Sequence, residues 1–432
     1  MTSIHTKFYP DGSIRYIEFK NIHGFHRTDG PSYLSWHRNG QICSQGCYIN
    51  GKCNNFFNKD TKQTIPAFQE WHDNGQLESQ QYYINGKCNN FFNNETNQII
   101  PAFQRWYDSG QLWSQQYYID GKRDNLFNHE INQTIPAIQQ WYSNGQLWFQ
   151  EYHINERRNN FFNKDVKQTI PAFQEWYENN KLKSQTYYIN DKRYNLFNDD
   201  TDQIIPADQG WHSNGQFAHK TYYIDGIRNN FFNHETNQTI PAFQEWHDNE
   251  QLSSQQYYIN GKCNNFFNID INQTIPALQQ WRDNGQLWCQ SYHTNDKLNN
   301  FFNHETNQTI PAIQRWYDNE QLIVQQYFIN GKCNNFFDVD INQIIPAIQY
   351  WYDSGQLASQ RNYIYNHFIS HQDFVILYHI LPYHIKKYLH KIHSRNKDKA
   401  YKEHIAMQEY IYRPDGPTAK CLRSSFESKT KN

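Results

Sequence analysis

Pro66-Ala67-Phe68-Gln69-Glu70-Trp71-His72-Asp73-Asn74-Gly75-Gln76-Leu77-Glu78-Ser79-Gln80-Gln81-Tyr82-Tyr83-Ile84-Asn85-Gly86-Lys87 sets two aromatic-rich runs on either side of Asn74-Gly75. Asn-Gly between such runs is the strongest short-range signal for a β-hairpin, because both residues accept a positive φ. The same text returns every 35 residues. Tryptophans fall at Trp36, Trp71, Trp106, Trp141, Trp176, Trp211, Trp246, Trp281, Trp316 and Trp351, each five residues after a proline, from Pro31 to Pro346. A fixed period of this size marks a repeat array, in which each unit buries its apolar face only against its neighbours. The expected fold is all-β: an elongated antiparallel β-hairpin repeat array, a single twisted sheet or solenoid, with a small α-helical C-terminal cap. Residues 1–30 read as an N-terminal capping repeat, 31–365 as about ten hairpin repeats, and 366–432 as a basic, His-rich helical cap and tail.

A two-residue turn dictates which residues face each other. Across Ser109-Gly110 it pairs Asp108 with Gln111, Tyr107 with Leu112 and Trp106 with Trp113. The same register sets Trp141 opposite Trp148 and Trp281 opposite Trp288, so each tryptophan outside the main series meets a member of it. Such aromatic pairs stabilise a sheet by about 0.2–1 kcal/mol each. Asn249-Glu250 and Asn319-Glu320 occupy the same turn position without a glycine, and predict strain or a different turn there. Alternation places Ala67, Gln69, Trp71, Gln80 and Tyr82 on one face and Phe68, His72, Leu77 and Tyr83 on the other.

One face then needs a cover. The connector Cys88-Asn89-Asn90-Phe91-Phe92-Asn93 can supply it, its phenylalanine pair recurring as Phe56-Phe57, Phe161-Phe162, Phe231-Phe232 and Phe301-Phe302. Each buried phenylalanine contributes roughly 1.5–3 kcal/mol before entropy. Pro101 and its equivalents are expected to start the next strand, where a missing donor is tolerated. Two strands per repeat, at about 4.8 Å each, make neighbouring repeats roughly 10 Å apart.

The hairpin text Trp106-Tyr107-Asp108-Ser109-Gly110-Gln111-Leu112 with Tyr117-Tyr118-Ile119-Asp120-Gly121-Lys122 resembles the membrane occupation and recognition nexus (MORN) repeat. It looks closest to the variant of bacterial antitoxin-like proteins and of repeat proteins of large DNA viruses of amoebae. His26-Arg27-Thr28-Asp29-Gly30-Pro31 and Arg413-Pro414-Asp415-Gly416-Pro417 look like the shorter connector of the viral form. The likeness covers roughly residues 8–365 plus a stub near 410–418. The chain departs from it in a longer connector, with Asn-Asn-Phe-Phe-Asn and a Gln-Thr-Ile-Pro exit, and in lacking many of the family's glycines. The resemblance implies an extended antiparallel sheet and a scaffolding or protein-interaction role, without catalytic residues.

Composition agrees with a folded array. Mean hydropathy is −0.98, yet charged residues are only 19% and aromatics reach 17%, far more ring surface than a solvated tail carries. Net charge is −2, which makes nucleic acid an unlikely partner. Residues 366–432 carry 12 Lys+Arg against 6 Asp+Glu, leaving 28 against 36 for residues 1–365. This basic segment is the one feature suited to peripheral membrane contact. Cys53, Cys88, Cys263 and Cys333 share one repeat position, too far apart across about 10 Å for disulfides, and read as free thiols. The start lacks the apolar run of a secretory signal and no apolar stretch is long enough to span a bilayer, so an intracellular, cytoplasmic location is expected.

The candidate interaction surface is the position before each main tryptophan, which varies as Glu70, Arg105, Glu175, Arg315 and Tyr350 among others, joined by Trp113, Trp148 and Trp288. Exposed rings at those three tryptophans would instead suit a glycan or another ligand. An acid recurs in the connector, at Asp60, Glu95, Glu130 and onward to Asp340; it reads as a cap on the connector turn more readily than as a cation ladder. His129-Glu130, His234-Glu235 and His304-Glu305 do not extend into His-Glu-x-x-His. His367/His371 and His390/His393 have helical metal spacing, but the surrounding Phe374, Ile376, Leu377, Ile380 and Leu381 read as an end cap. No nucleotide or nucleophile motif occurs, and neither a cofactor nor catalysis is expected.

Overall fold

The computed structural model describes residues 2–364 and 366–370, apart from connector tips at 130–131, 164–166, 199–202, 234–237, 269–272, 304–305, 307 and 339–342. Among the described residues all regular structure is β-strand. The chain divides into two compact units, 1–216 and 217–432. In the first, one antiparallel sheet follows chain order, from Ser3–Phe8 and Ile14–Asn21 through Phe68–Trp71, Leu77–Gln81, Phe103–Trp106 and Leu112–Gln116 to Asp208–Trp211. No pairing joins Ser3–Phe8 to Asp208–Trp211 among the described residues, so this sheet is open. In the second unit Phe217–Thr221 begins the same meander, which runs to Leu357–Ile364 and His367–Ile369. The expected helical cap over 366–432 thus has a strand, His367–Ile369, at its start; the remainder lies outside the described residues.

Each repeat contains three hairpins where the sequence suggested one. The sheet hairpin does not turn through two residues. Tyr107 N donates to Gln111 O and Gly110 N to Tyr107 O, both at 2.9 Å, so the loop is Asp108-Ser109-Gly110. Only its last residue needs a positive φ, +82° at Gly110. Trp106 therefore faces Leu112, and Arg105 faces Ser114. Trp113 is the extra residue of a β-bulge, and so are Trp148 and Trp288, which corrects the expected tryptophan pairs. Leu77 changes face for the same reason, since it lies opposite Trp71. Glu250 and Glu320 make the same turn at φ +68° and +63°, a conformation costing a residue with a side chain roughly 1–2 kcal/mol. The expected strain is there.

The true two-residue turn is the second Asn-Gly of the repeat. Asn85 and Gly86 have φ +52° and +79°, Ile84 faces Lys87, and Tyr83 faces Cys88. The connector forms the third hairpin, Phe91–Asn93 against Gln98–Ile100. It covers one face of the sheet, but with one phenylalanine of each pair. Phe91 stacks on Tyr82, with ring centroids 5.1 Å apart and planes within 5°, whereas Phe92 points outward, 48% exposed. The next strand starts at Phe103, two residues later than expected. Pro101 and Ala102 form the buried corner before it, where Tyr82 N donates to Ala102 O.

The asparagines of Asn-Asn-Phe-Phe-Asn hold the repeats together. Asn90 Oδ1 accepts from Ala102 N at 3.1 Å and from Tyr118 N at 2.9 Å. Asn89 Oδ1 accepts from Asp120 N at 2.9 Å, in the two-residue turn of the following repeat. At the connector tip it is Asn58 and Asn93 that accept from the amides of Asp60 and Glu95. The capping oxygen there belongs to asparagine, not to the acid as expected; the acids from Glu130 to Asp340 fall outside the described residues.

Candidate interaction surface

The bulge sets the geometry of the face opposite the connectors. At a bulge two consecutive side chains share one side of the strand, so Glu78 and Ser79 both flank Glu70. Ser79 Oγ donates to Glu70 Oε2 at 2.9 Å. From there two groups of contacts follow one another along this face of the first unit. Arg105 Nη2 donates to Glu78 Oε1 at 3.1 Å, and the Arg105 guanidinium lies 4.7 Å from the centre of the Trp113 ring. Tyr107 packs beside Trp113 at 6.1 Å. Two strands on, Trp148 touches Tyr142 and Phe149 and donates its indole N–H to Glu175 Oε1 at 3.2 Å. Lys183 donates to the same oxygen at 2.9 Å, a bond that raises the lysine pKa. Glu70, Arg105, Trp113, Trp148 and Glu175 are all half-buried.

The second unit carries the remaining candidates on the equivalent face. Arg315 is exposed and stands opposite Cys289 and Val324. Burial pushes the Cys289 thiol up in pKa, against the opposing pull of Arg315. Tyr350 lies opposite Val324 and Ser359, with the Arg361 guanidinium 5.9 Å from its ring centre. Trp288 is half-buried on its bulge. Every candidate chosen from the sequence thus lies on one face of its unit.

Sequence reasoning missed two features. The bulge position as a class varies as Glu78, Trp113, Trp148 and Lys183; its 35-residue recurrence was the available signal. The second is a buried ionic cluster. Elsewhere Tyr83 Oη donates to Gln81 Oε1, as Tyr118 does to Gln116. In one repeat Glu151 and His153 replace this pair, joined through His153 Nε2 and Glu151 Oε2 at 2.9 Å, while Arg158 approaches the other oxygen at 3.2 Å. Burial opposes ionisation of Glu151, but the His153 hydrogen bond and the Arg158 charge outweigh it, and its pKa is lowered.

Cys43, Cys47, Cys53, Cys88, Cys263, Cys289 and Cys333 are free. Among the described residues no three His, Cys, Asp or Glu side chains gather as a metal site, and no helix is long and apolar enough to cross a membrane. A chain built of β-hairpins in strict tandem, each clamped to the next, is a hairpin repeat array. Residues 67–85, 102–120 and 172–190 match the MORN repeat variant, and each match spans the sheet hairpin and the start of the two-residue turn. This is a MORN-repeat-like protein. No curated protein matches the chain. Among solved structures it is similar to "Crystal Structure of TcdB2-TccC3-Cdc42" at 13% identity, covering 85% of this chain and 19% of that one, with a TM-score of 0.12. The structure "Crystal Structure of TcdB2-TccC3" matches at 12% identity over 81% and 19%, also with a TM-score of 0.12. The chain spans about a fifth of the length of these structures, and likeness at that level bears on neither fold nor function.

Proposed function

We propose that this protein is a non-enzymatic repeat scaffold that binds a protein partner through the connector-free face of its hairpins. The observation that supports this reading most is a pair of ordered clusters on this face, Glu78 with Arg105 and Trp113 and then Trp148 with Glu175 and Lys183, each setting both charge signs beside an indole. Aromatic and arginine side chains held in place by neighbours are the groups that dominate protein interfaces. Mixed sign suits a protein surface better than a polyanion such as nucleic acid. A glycan reading of Trp113 and Trp148 is not favoured, because Arg105 and Tyr107 occupy one ring and Tyr142 and Phe149 the other. The basic 366–432 segment would add membrane contact only if its deletion released the chain from anionic liposomes.

The test is a comparison of crosslinked complexes from the native host cell using the full chain and a double variant, Arg105→Glu with Lys183→Glu. The variant is expected to lose a protein partner that the unmodified chain retains. An identical set of crosslinked proteins for both would remove this face from consideration.

A further inference from the structure

The other face of the same sheet has different chemistry. Gln80 Nε2 donates to Gln104 Oε1 at 2.7 Å, and Gln115 Nε2 to Gln139 Oε1 at 2.7 Å. Equivalent bonds run from Gln45 to Gln209, so a row of amides crosses the first unit. A primary amide has two N–H donors and two acceptor lone pairs, and these bonds use one of each. Gln80 Oε1 and Gln104 Nε2 have no partner among the described residues, and neither is a buried orphan. Each repeat therefore presents an unspent acceptor beside an unspent donor.

Next to the amide row, on the same side of the strands, stand Trp71, Trp106, Trp141 and Trp176, alternating with leucines such as Leu77 and Leu112. These indoles are half-buried. Among the described residues no aromatic ring or cation lies against them, unlike Trp113 and Trp148, and none accepts their N–H. The row's other flank is a wall of connector hairpins. In the second unit the equivalent space is a cavity of about 610 Å³ between Gln255, Gln279, Pro276, Tyr292 and Phe301. In the first unit the amide and tryptophan rows contain no charged residue.

We propose that this trough in the first unit binds an extended, neutral oligosaccharide, with pyranose rings on the indoles and hydroxyls bonded to the unspent amide groups. Hydroxyls both donate and accept, as an alternating row of free N–H and C=O requires. A ligand of repeating rings meets one indole every two strands, roughly 10 Å. An anionic polymer finds no cation in either row. An extended peptide would satisfy its backbone at a strand edge, not on a sheet face already paired on both sides. This site is separate from the protein-binding face, so either reading can fail alone.

The full chain is titrated with cellohexaose and chitohexaose at up to millimolar concentration, with polygalacturonate as anionic control, by calorimetry and tryptophan fluorescence. At least one neutral hexasaccharide is expected to bind and to shift the emission, while polygalacturonate does not. Trp106→Ala with Trp141→Ala should weaken that binding roughly tenfold or more. Gln104→Glu with Gln139→Glu, which truncates nothing, should weaken it as well. Arg105→Glu with Lys183→Glu should leave it unchanged. Failure of both hexasaccharides to bind, stronger binding of polygalacturonate, or undiminished binding by the glutamate variant overturns the proposal.

Discussion

Asn90 ties together chain segments that lie 12 and 28 residues ahead of it. Its side-chain oxygen accepts the amides of Ala102 and Tyr118, and its own amide donates to Tyr118 O. Asparagine in a turn-rich segment ordinarily reads as a local cap, which is why this role was invisible: its recurrence was plain, its partners were not. Asn90→Ala would leave two partly buried amides without an acceptor, at a cost of about 2 kcal/mol. Asn90→Asp, which keeps an oxygen in place, should cost less. Chemical denaturation would measure the difference, and hydrogen exchange should quicken at Ala102 and Tyr118 in the alanine variant. Unchanged exchange at both amides would contradict the assigned role. Glu250 and Glu320 show the opposite case, since their expected strain followed from residue type alone.

At the scale of elements, the connector is a hairpin with an inside and an outside. Phe91 and Phe92 are adjacent and identical in type, yet one stacks on Tyr82 and the other faces solvent, as alternation along a strand demands. The sequence announced the pair as a cover but not which member covers, because the phase of a three-residue strand is set by its partner, Gln98–Ile100. Phe91→Ala should destabilise the array by about 2–3 kcal/mol and Phe92→Ala by roughly 0.5 kcal/mol or less. Equal shifts of the urea midpoint for the two variants would refute the inward and outward assignment. The sheet hairpin was likewise legible as a hairpin but not in register, since Asn-Gly serves two-residue and three-residue loops alike. Hydrogen bonds at Tyr107 and Gly110 select the longer loop, and with it the bulge that gathers the candidate residues on one face.

Across the whole molecule, one small effect recurs in each repeat. Burial pushes the phenols of Tyr82, Tyr117, Tyr152 and Tyr187 in the first unit, and of Tyr222, Tyr257 and Tyr292 in the second, up to about 12. In the unfolded chain a tyrosine titrates near 10. A raised folded pKa means that stability is intact below about pH 10 and is lost as pH climbs from there toward 12, steeply because many sites act together. Phenolate absorbance and loss of the β circular-dichroism signal should therefore rise together in an alkaline titration. Ionisation of these phenols near pH 10 with the sheet intact would rule this out. Spacing and alternation within a single repeat were enough to fix the period, the sheet hairpin, the shared face of the main tryptophans and the need for a cover over one face. Loop length, register, the seat of the two-residue turn and the clamping asparagines were decided only by tertiary structure. Each of them is a competition between near-equal local conformations, and what settles it is hydrogen bonding to a neighbouring repeat.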